Sequence, residues 1–154
     1  LSVETERYGE YSKAGEFVYD HPFLWGSKRT GPDLHRVGGK YPDSWHFNHM
    51  IEPERMSPKS IMPVYDFLLD HDIDTSTTVA KTNAMRTLGA PYPEGYELIA
   101  NDDVMKQQQQ IIESLKGDEI EASPNTEMVA LIAYLQRLGT DIQMANDSKT
   151  AENK

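Results

Sequence analysis

Residues 25–67 read WGSKRTGPDLHRVGGKYPDSWHFNHMIEPERMSPKSIMPVYDF, with a short anchor near each end: Thr30-Gly31-Pro32-Asp33-Leu34 and Ser60-Ile61-Met62-Pro63. Between the anchors lie Gly38, Gly39, Pro42, Pro53 and Pro58, together with Trp45, His46 and His49. Glycine and proline interrupt regular structure, so the stretch is expected to be mostly shaped loop. A loop this long in a compact domain is uncommon unless it is functional or wraps something. One helix is expected inside it, over Trp45 to Ile51. Asp43 or Ser44 would cap that helix, Pro53 would close it, and Trp45, Phe47, Met50 and Ile51 would give it a buried face.

Upstream, residues 1–30 are rich in aromatics and glycine, and read as irregular chain pinned by buried rings, with a short helix around Thr5 to Ala14. Downstream, a turn over Tyr65 to Leu69 leads to a helix capped by Thr75 or Ser76, which reaches Leu88 and stops at Gly89. Val79, Met85 and Leu88 form its thin apolar stripe. A further helix is expected from about Asn101 or Asp102 to Lys116, ending at Gly117. Its stripe is Val104, Met105, Ile111, Ile112 and Leu115, with Gln107 to Gln110 as solvated face. The last helix is signalled by Ser123-Pro124-Asn125-Thr126-Glu127, then by Met128, Leu131, Ile132, Leu135 and Leu138 at helical spacing, with Gly139 as its stop. The tail from about Asn146 is polar and expected to be disordered.

The chain has 154 residues, enough for one domain that buries roughly two thirds of its unfolded surface. Its net charge of −10 argues against nucleic acid and anionic membrane surfaces as direct partners; it would suit a basic partner or merely solubility, which is the commoner reason. There are no cysteines, which excludes disulfides, thiolate zinc sites, iron–sulfur clusters and a cysteine nucleophile within these residues. No stretch approaches the roughly 18 apolar residues of a membrane span.

The motifs resemble class I cytochromes c. That family carries T-G-P-x-L-x-G-x-x-G-R, then a Trp-led helix ending near a proline, a P-x-x-x-M-P-type loop, and a final helix with L-I-A-Y-L. Here these are Thr30 to Lys40, Trp45 to Pro53, Pro58 to Pro63 and Leu131-Ile132-Ala133-Tyr134-Leu135, in the same order. Arg36 replaces a usual glycine, and Lys40 stands where arginine is common. The longer wording from Arg7 to Leu34, followed by Ser60 to Tyr65, is similar to the monohaem subunit II of cbb3-type cytochrome c oxidases.

The resemblance implies an all-α, class I cytochrome c-like domain over residues 1–145, with 71–122 as a helical insertion before the last helix. It implies an electron-transfer subunit of a haem-copper oxidase, held on the periplasmic side of the bacterial inner membrane by an upstream helix. Its partners would be the catalytic and dihaem cytochrome subunits and an electron-donor cytochrome. The family's C-x-x-C-H haem-attachment motif is missing, so the chain is expected to be an N-terminally truncated fragment whose Leu1 follows that site. Haem c would belong to the full-length protein and the fragment itself would hold none. Such a loss would uncover apolar surface around Trp25, Leu34, Trp45 and Met62, answered either by collapse of the Met62 loop inward or by self-association of the fragment. The alternative is a haem-less cytochrome fold kept for docking to other subunits.

The resemblance also assigns roles. Met62 becomes the axial thioether ligand to the haem iron, against the plain alternative of a methionine filling core. Pro32 would offer its carbonyl to the proximal histidine, and Leu34 would face the cofactor. Arg36, Lys40 and Trp45 would meet the propionates, with Arg29 a second cationic candidate. His46 and His49 are three apart and could share a metal, but no cysteine or carboxylate completes the set, which favours exposure or a structural hydrogen bond. Asp70, Asp72 and Asp74 alternate like the start of a calcium loop, yet the glycine and terminal glutamate are absent, which favours capping and solvation.

Overall fold

The computed structural model describes residues 34–140. The expected helix over Thr5 to Ala14, the residues Arg29 and Pro32, and the tail from Asn146 lie outside them. The described residues fall in two compact units, 34–40 with 135–140, and 41–134. Five α-helices are present among them: α1 Asp43–Ile51, α2 Pro53–Met56, α3 Thr78–Thr87, α4 Tyr96–Gly117 and α5 Glu127–Arg137. Two 3₁₀ turns, Leu34–Arg36 and Asp66–Leu69, complete the set, and among the described residues there is no strand. The fold is all-α, as the motifs led us to expect.

Helix α1 starts two residues earlier than expected, and neither Asp43 nor Ser44 caps it. Pro42 holds the N-cap position in an extended conformation, and its carbonyl accepts from the amides of Trp45 and His46 at 3.0 and 3.3 Å. Pro53 does end α1, because the residue before a proline is driven out of the helical region and Glu52 sits at φ −135°. Pro53 also opens α2 at its first position, where a missing amide costs nothing; this second helix was not foreseen.

Helices α3 and α4 form a hairpin. Gly89 takes φ +96° just past α3, and Gly95 takes φ +82° just before α4, conformations that side chains resist. Arg86 near the end of α3 donates to Glu97 at 2.8 and 3.4 Å and to Asn83 at 2.7 Å, which ties the two helix ends together. No side chain of Thr75 or Ser76 caps α3. Instead Asp74 accepts from the Ser76 amide at 2.9 Å, and the helix begins at Thr78. The expected stripe is also overturned: Val79 and Leu88 are exposed, and the buried residue of α3 is Thr82. Helix α4 starts at Tyr96, well before the expected Asn101, and Gln108 is buried rather than part of a solvated face.

The core of the larger unit is Phe47 of α1, Ile111 and Leu115 of α4, and Met128, Val129 and Ile132 of α5. Leu68 and Leu69 from the 3₁₀ turn pack against it, so the segment following Met62 is fixed by its own apolar side chains. Thr126 sets the start of α5: its hydroxyl oxygen accepts from the Val129 amide at 3.5 Å. Met128, Ile132 and Leu135 are buried as expected, and Gly139 follows the helix at φ +81°. In the smaller unit Gly38 donates its amide to the carbonyl of Leu138 at 3.0 Å. A Cβ on Gly38 would lie 2.5 Å from the Gln136 carbonyl oxygen and 2.6 Å from that of Leu138, so only glycine fits.

Candidate functional site

Met62 lies in a non-helical segment between α2 and the second 3₁₀ turn, and three sets of bonds hold that segment. Lys59 reverses the chain at φ +69°, and Ser60 donates its amide to the Ser57 carbonyl at 3.0 Å. The Ser60 hydroxyl oxygen then accepts the Met62 amide at 3.2 Å, a local side-chain-to-backbone turn. Beyond the methionine, the Tyr65 amide donates to the carbonyl of Met50 in α1 at 2.8 Å. Further on, the Ile73 amide donates to Asn125 at 2.9 Å and the Glu127 amide donates to His71 at 2.8 Å, around an isolated antiparallel bridge of Asp72 with Thr126. The segment is thus tied to the end of α1, and the stretch beyond the 3₁₀ turn to the start of α5.

Within it the side chains differ sharply in exposure. Met62 is half-buried, whereas its neighbour Ile61 is fully exposed at 100%. Pro63 favours extended backbone at Met62, and extended backbone sends successive side chains to opposite sides. Val64 and Phe67 are exposed on the same segment.

Trp45 is half-buried in a column of rings on α1. Its indole stacks on Tyr41 at 4.0 Å between centroids and on His49 at 4.5 Å, both at 16° between planes. His46 meets Trp45 edge-on at 5.3 Å. The expectation of an exposed His46 is overturned, since the side chain is 2% exposed, and its Nε2 has no partner among the described residues. His49 Nδ1 is likewise buried and unpartnered. Burial pulls both imidazoles below their ordinary value; at His46 the Asp43 carboxylate opposes this and His49 reinforces it. Among the described residues no group of three or more His, Cys, Asp or Glu could hold a metal ion. Asp70, Asp72 and Asp74 are exposed.

Trp45 and Met62 therefore belong to the larger unit, on α1 and on the segment bonded to its end. Leu34, Arg36 and Lys40 belong to the smaller unit, where Leu34 is exposed, Arg36 half-buried and Lys40 exposed. The sequence had marked Ser60 only as part of the anchor before Met62, and His46 and His49 only as a spaced pair; it did not show the Ser60 hydroxyl's turn, the Tyr65–Met50 bond or the unpartnered ring nitrogens. A serine two residues before the methionine was the only available signal for the first of these.

Residues 1–142 match the family described as Cytochrome C oxidase, mono-heme subunit/FixO. The chain belongs to the FixO family. It is accordingly a mono-haem cytochrome c subunit that serves electron transfer in a cytochrome c oxidase, and the resemblance to subunit II of the cbb3-type enzymes holds. Membership makes it part of an oxidase complex with other subunits. Among curated proteins no relative matches this FixO chain. Among the described residues no helix is long and apolar enough to cross a membrane.

Proposed function

We propose that Met62 supplies the axial thioether to the iron of a c-type haem, and that this subunit passes single electrons to the oxygen-reducing subunit of its oxidase. The observation that carries this reading is the Met62 segment, a soft sulfur donor on a loop secured at both ends and flanked by exposed apolar residues. Such a donor set fits a haem iron: a neutral thioether favours the ferrous form and so raises the potential. A bound haem would supply the one-electron couple, and the protein residues would orient and insulate it.

The chain's own contribution is positional. Pro63 and the Ser60 hydroxyl restrict the backbone of Met62 from both sides in sequence. Trp45 is stacked between Tyr41 and His49, which would fix its ring; the family resemblance makes Trp45, Arg36 and Lys40 each a candidate donor to a propionate. Pro32 and Leu34 take the roles of proximal-histidine acceptor and haem-facing side chain. With no cysteine in these 154 residues, both thioether attachments would come from sequence outside them, and by the family's C-x-x-C-H pattern the proximal histidine would come with them.

The absence of cysteine also favours a second reading, a haem-less cytochrome fold that docks to other subunits. One experiment separates the two. The full-length subunit is expressed with haem-maturation machinery, and its visible spectrum is compared with that of Met62→Ala. The expected result is a low-spin c-type spectrum whose methionine–iron charge-transfer band vanishes in the variant. A haem-containing protein with an unchanged band refutes the ligand, and absence of any haem from the full-length protein favours the docking domain.

A further inference from the structure

We infer that Tyr41 and His49 are positioning residues for Trp45: their rings clamp the indole between them and hold its N–H where it donates to a haem propionate. This rests on the role proposed above for Trp45 and extends it to the two side chains that fix that ring.

The spacing sets up the clamp. Trp45 and His49 lie four residues apart on α1, and Tyr41 lies four residues before Trp45, just ahead of the N-cap Pro42. The Tyr41 and His49 centroids stand 4.0 and 4.5 Å from that of Trp45, each ring within 16° of parallel to it. Two rings so close and so nearly parallel would overlap if they shared one side of the indole, so each covers one face. His46, buried, meets Tyr41 and Trp45 edge-on at 6.0 and 5.3 Å and closes the column from the side.

With both faces covered, the edge of the indole is left to act. That edge carries its one polar group, Nε1–H, which can only donate. Among the described residues this group has no hydrogen-bond partner. A carboxylate near the interior needs such a donor, and the bond it accepts is strong only when the donor is aimed. Rotating the indole out of line would break both stacks, so the clamp fixes the aim before the cofactor is bound. His49 serves through its plane: its Nδ1 is buried and unpartnered among the described residues, so it offers Trp45 a flat surface rather than a hydrogen bond.

The experiment uses the full-length, haem-loaded subunit at pH 8. His46 and His49 are neutral there, because burial holds both below their ordinary value, so replacing His49 removes no charge. Three quantities are read: the midpoint potential, hydrogen exchange of the Trp45 indole N–H in the ferrous protein, and the methionine–iron band. Trp45→Phe sets the reference. A propionate without its donor leaves more negative charge near the iron, which favours the ferric form and lowers the potential. Tyr41→Leu and His49→Leu are expected to lower the potential part of the way and to speed indole exchange about tenfold, with the band kept. Tyr41→Phe and His49→Phe restore a flat ring and should match wild type. Tyr92→Leu, which removes the Tyr92–Tyr96 stack beside α4, should leave all three readings unmoved.

If Trp45→Phe shifts the potential but the leucine variants do not, the clamp is overturned and the role of Trp45 stands. Phenylalanine variants as damaged as the leucine ones overturn it too, since the polar groups rather than the planes would then be acting. Loss of the methionine–iron band in the leucine variants would show rings that merely hold the fold, and overturns it likewise. An unmoved potential in Trp45→Phe refutes the propionate role of Trp45 itself, and the clamp with it.

Discussion

The Tyr65 amide and the Met50 carbonyl meet at 2.8 Å, joining the segment after Met62 to the last turn of the helix that carries Trp45. Substituting Tyr65→Pro removes this donor and leaves a carbonyl without its partner, at a cost of about 1–3 kcal/mol. Because φ at Tyr65 is −118°, proline also forces the backbone to turn, which adds to the loss. Urea unfolding should show a lowered midpoint with the slope preserved.

Ser60→Ala deprives the Met62 amide of its acceptor. We expect a loss of about 0.5–1.5 kcal/mol in stability, together with weaker methionine ligation in the haem-loaded protein. Ser60→Thr keeps the hydroxyl and should restore both. Ligation that is equally strong in the alanine variant would show that the turn does not position the sulfur.

Gly38→Ala places a methyl group against two carbonyl oxygens, at 2.5 and 2.6 Å. Backbone cannot swing aside as a side chain can, so a penalty of about 1–3 kcal/mol is expected. Hydrogen exchange should quicken at residues 34–40 and 135–140 before it does so elsewhere.

His46 gives the protein a pH dependence of definite sign. Its imidazole is held below the ordinary value of 6.5, so the unfolded chain takes up a proton at pH values where the folded side chain stays neutral. Stability is therefore full above about pH 6.5 and falls as the pH drops towards the folded value. His49 acts in the same direction. Thermal melts between pH 8 and pH 5 should show this decline, and His46→Gln should reduce its slope.

Leu115→Ala opens a cavity in the fully buried heart of the larger unit and should cost about 2–5 kcal/mol. A smaller loss would mean that α1 and α5 close over the gap.

The last helix could be read almost entirely from the chain, because Thr126 caps it, Met128, Ile132 and Leu135 follow at helical spacing, and Gly139 stops it. The start of α4 could not. Gly95 supplies no capping side chain to mark the helix start, and the large apolar residues of the first turn, Leu98 and Ile99, are exposed while the small Ala100 is the one buried. Val79 and Leu88 matched a helical stripe but face solvent, which shows that spacing identifies a helix without telling which face is covered. Met62 stood out through Pro63 and its order after the Thr30 motif. The supports around it did not, since backbone bonds such as Tyr65 to Met50 leave no trace in residue identity.

The two-way pairing of 71–73 with 125–127 gives the last helix a second duty. Strands of contact that open together behave as one cooperative piece. Fraying at the front of α5 would free 71–73 and leave the Leu68 and Leu69 contacts to hold the stretch that leads back to position 62, so the thioether ligation proposed for Met62 should weaken as that helix opens. A chromophore placed there would then serve as a built-in gauge of whether the carboxy-terminal part of the molecule is folded.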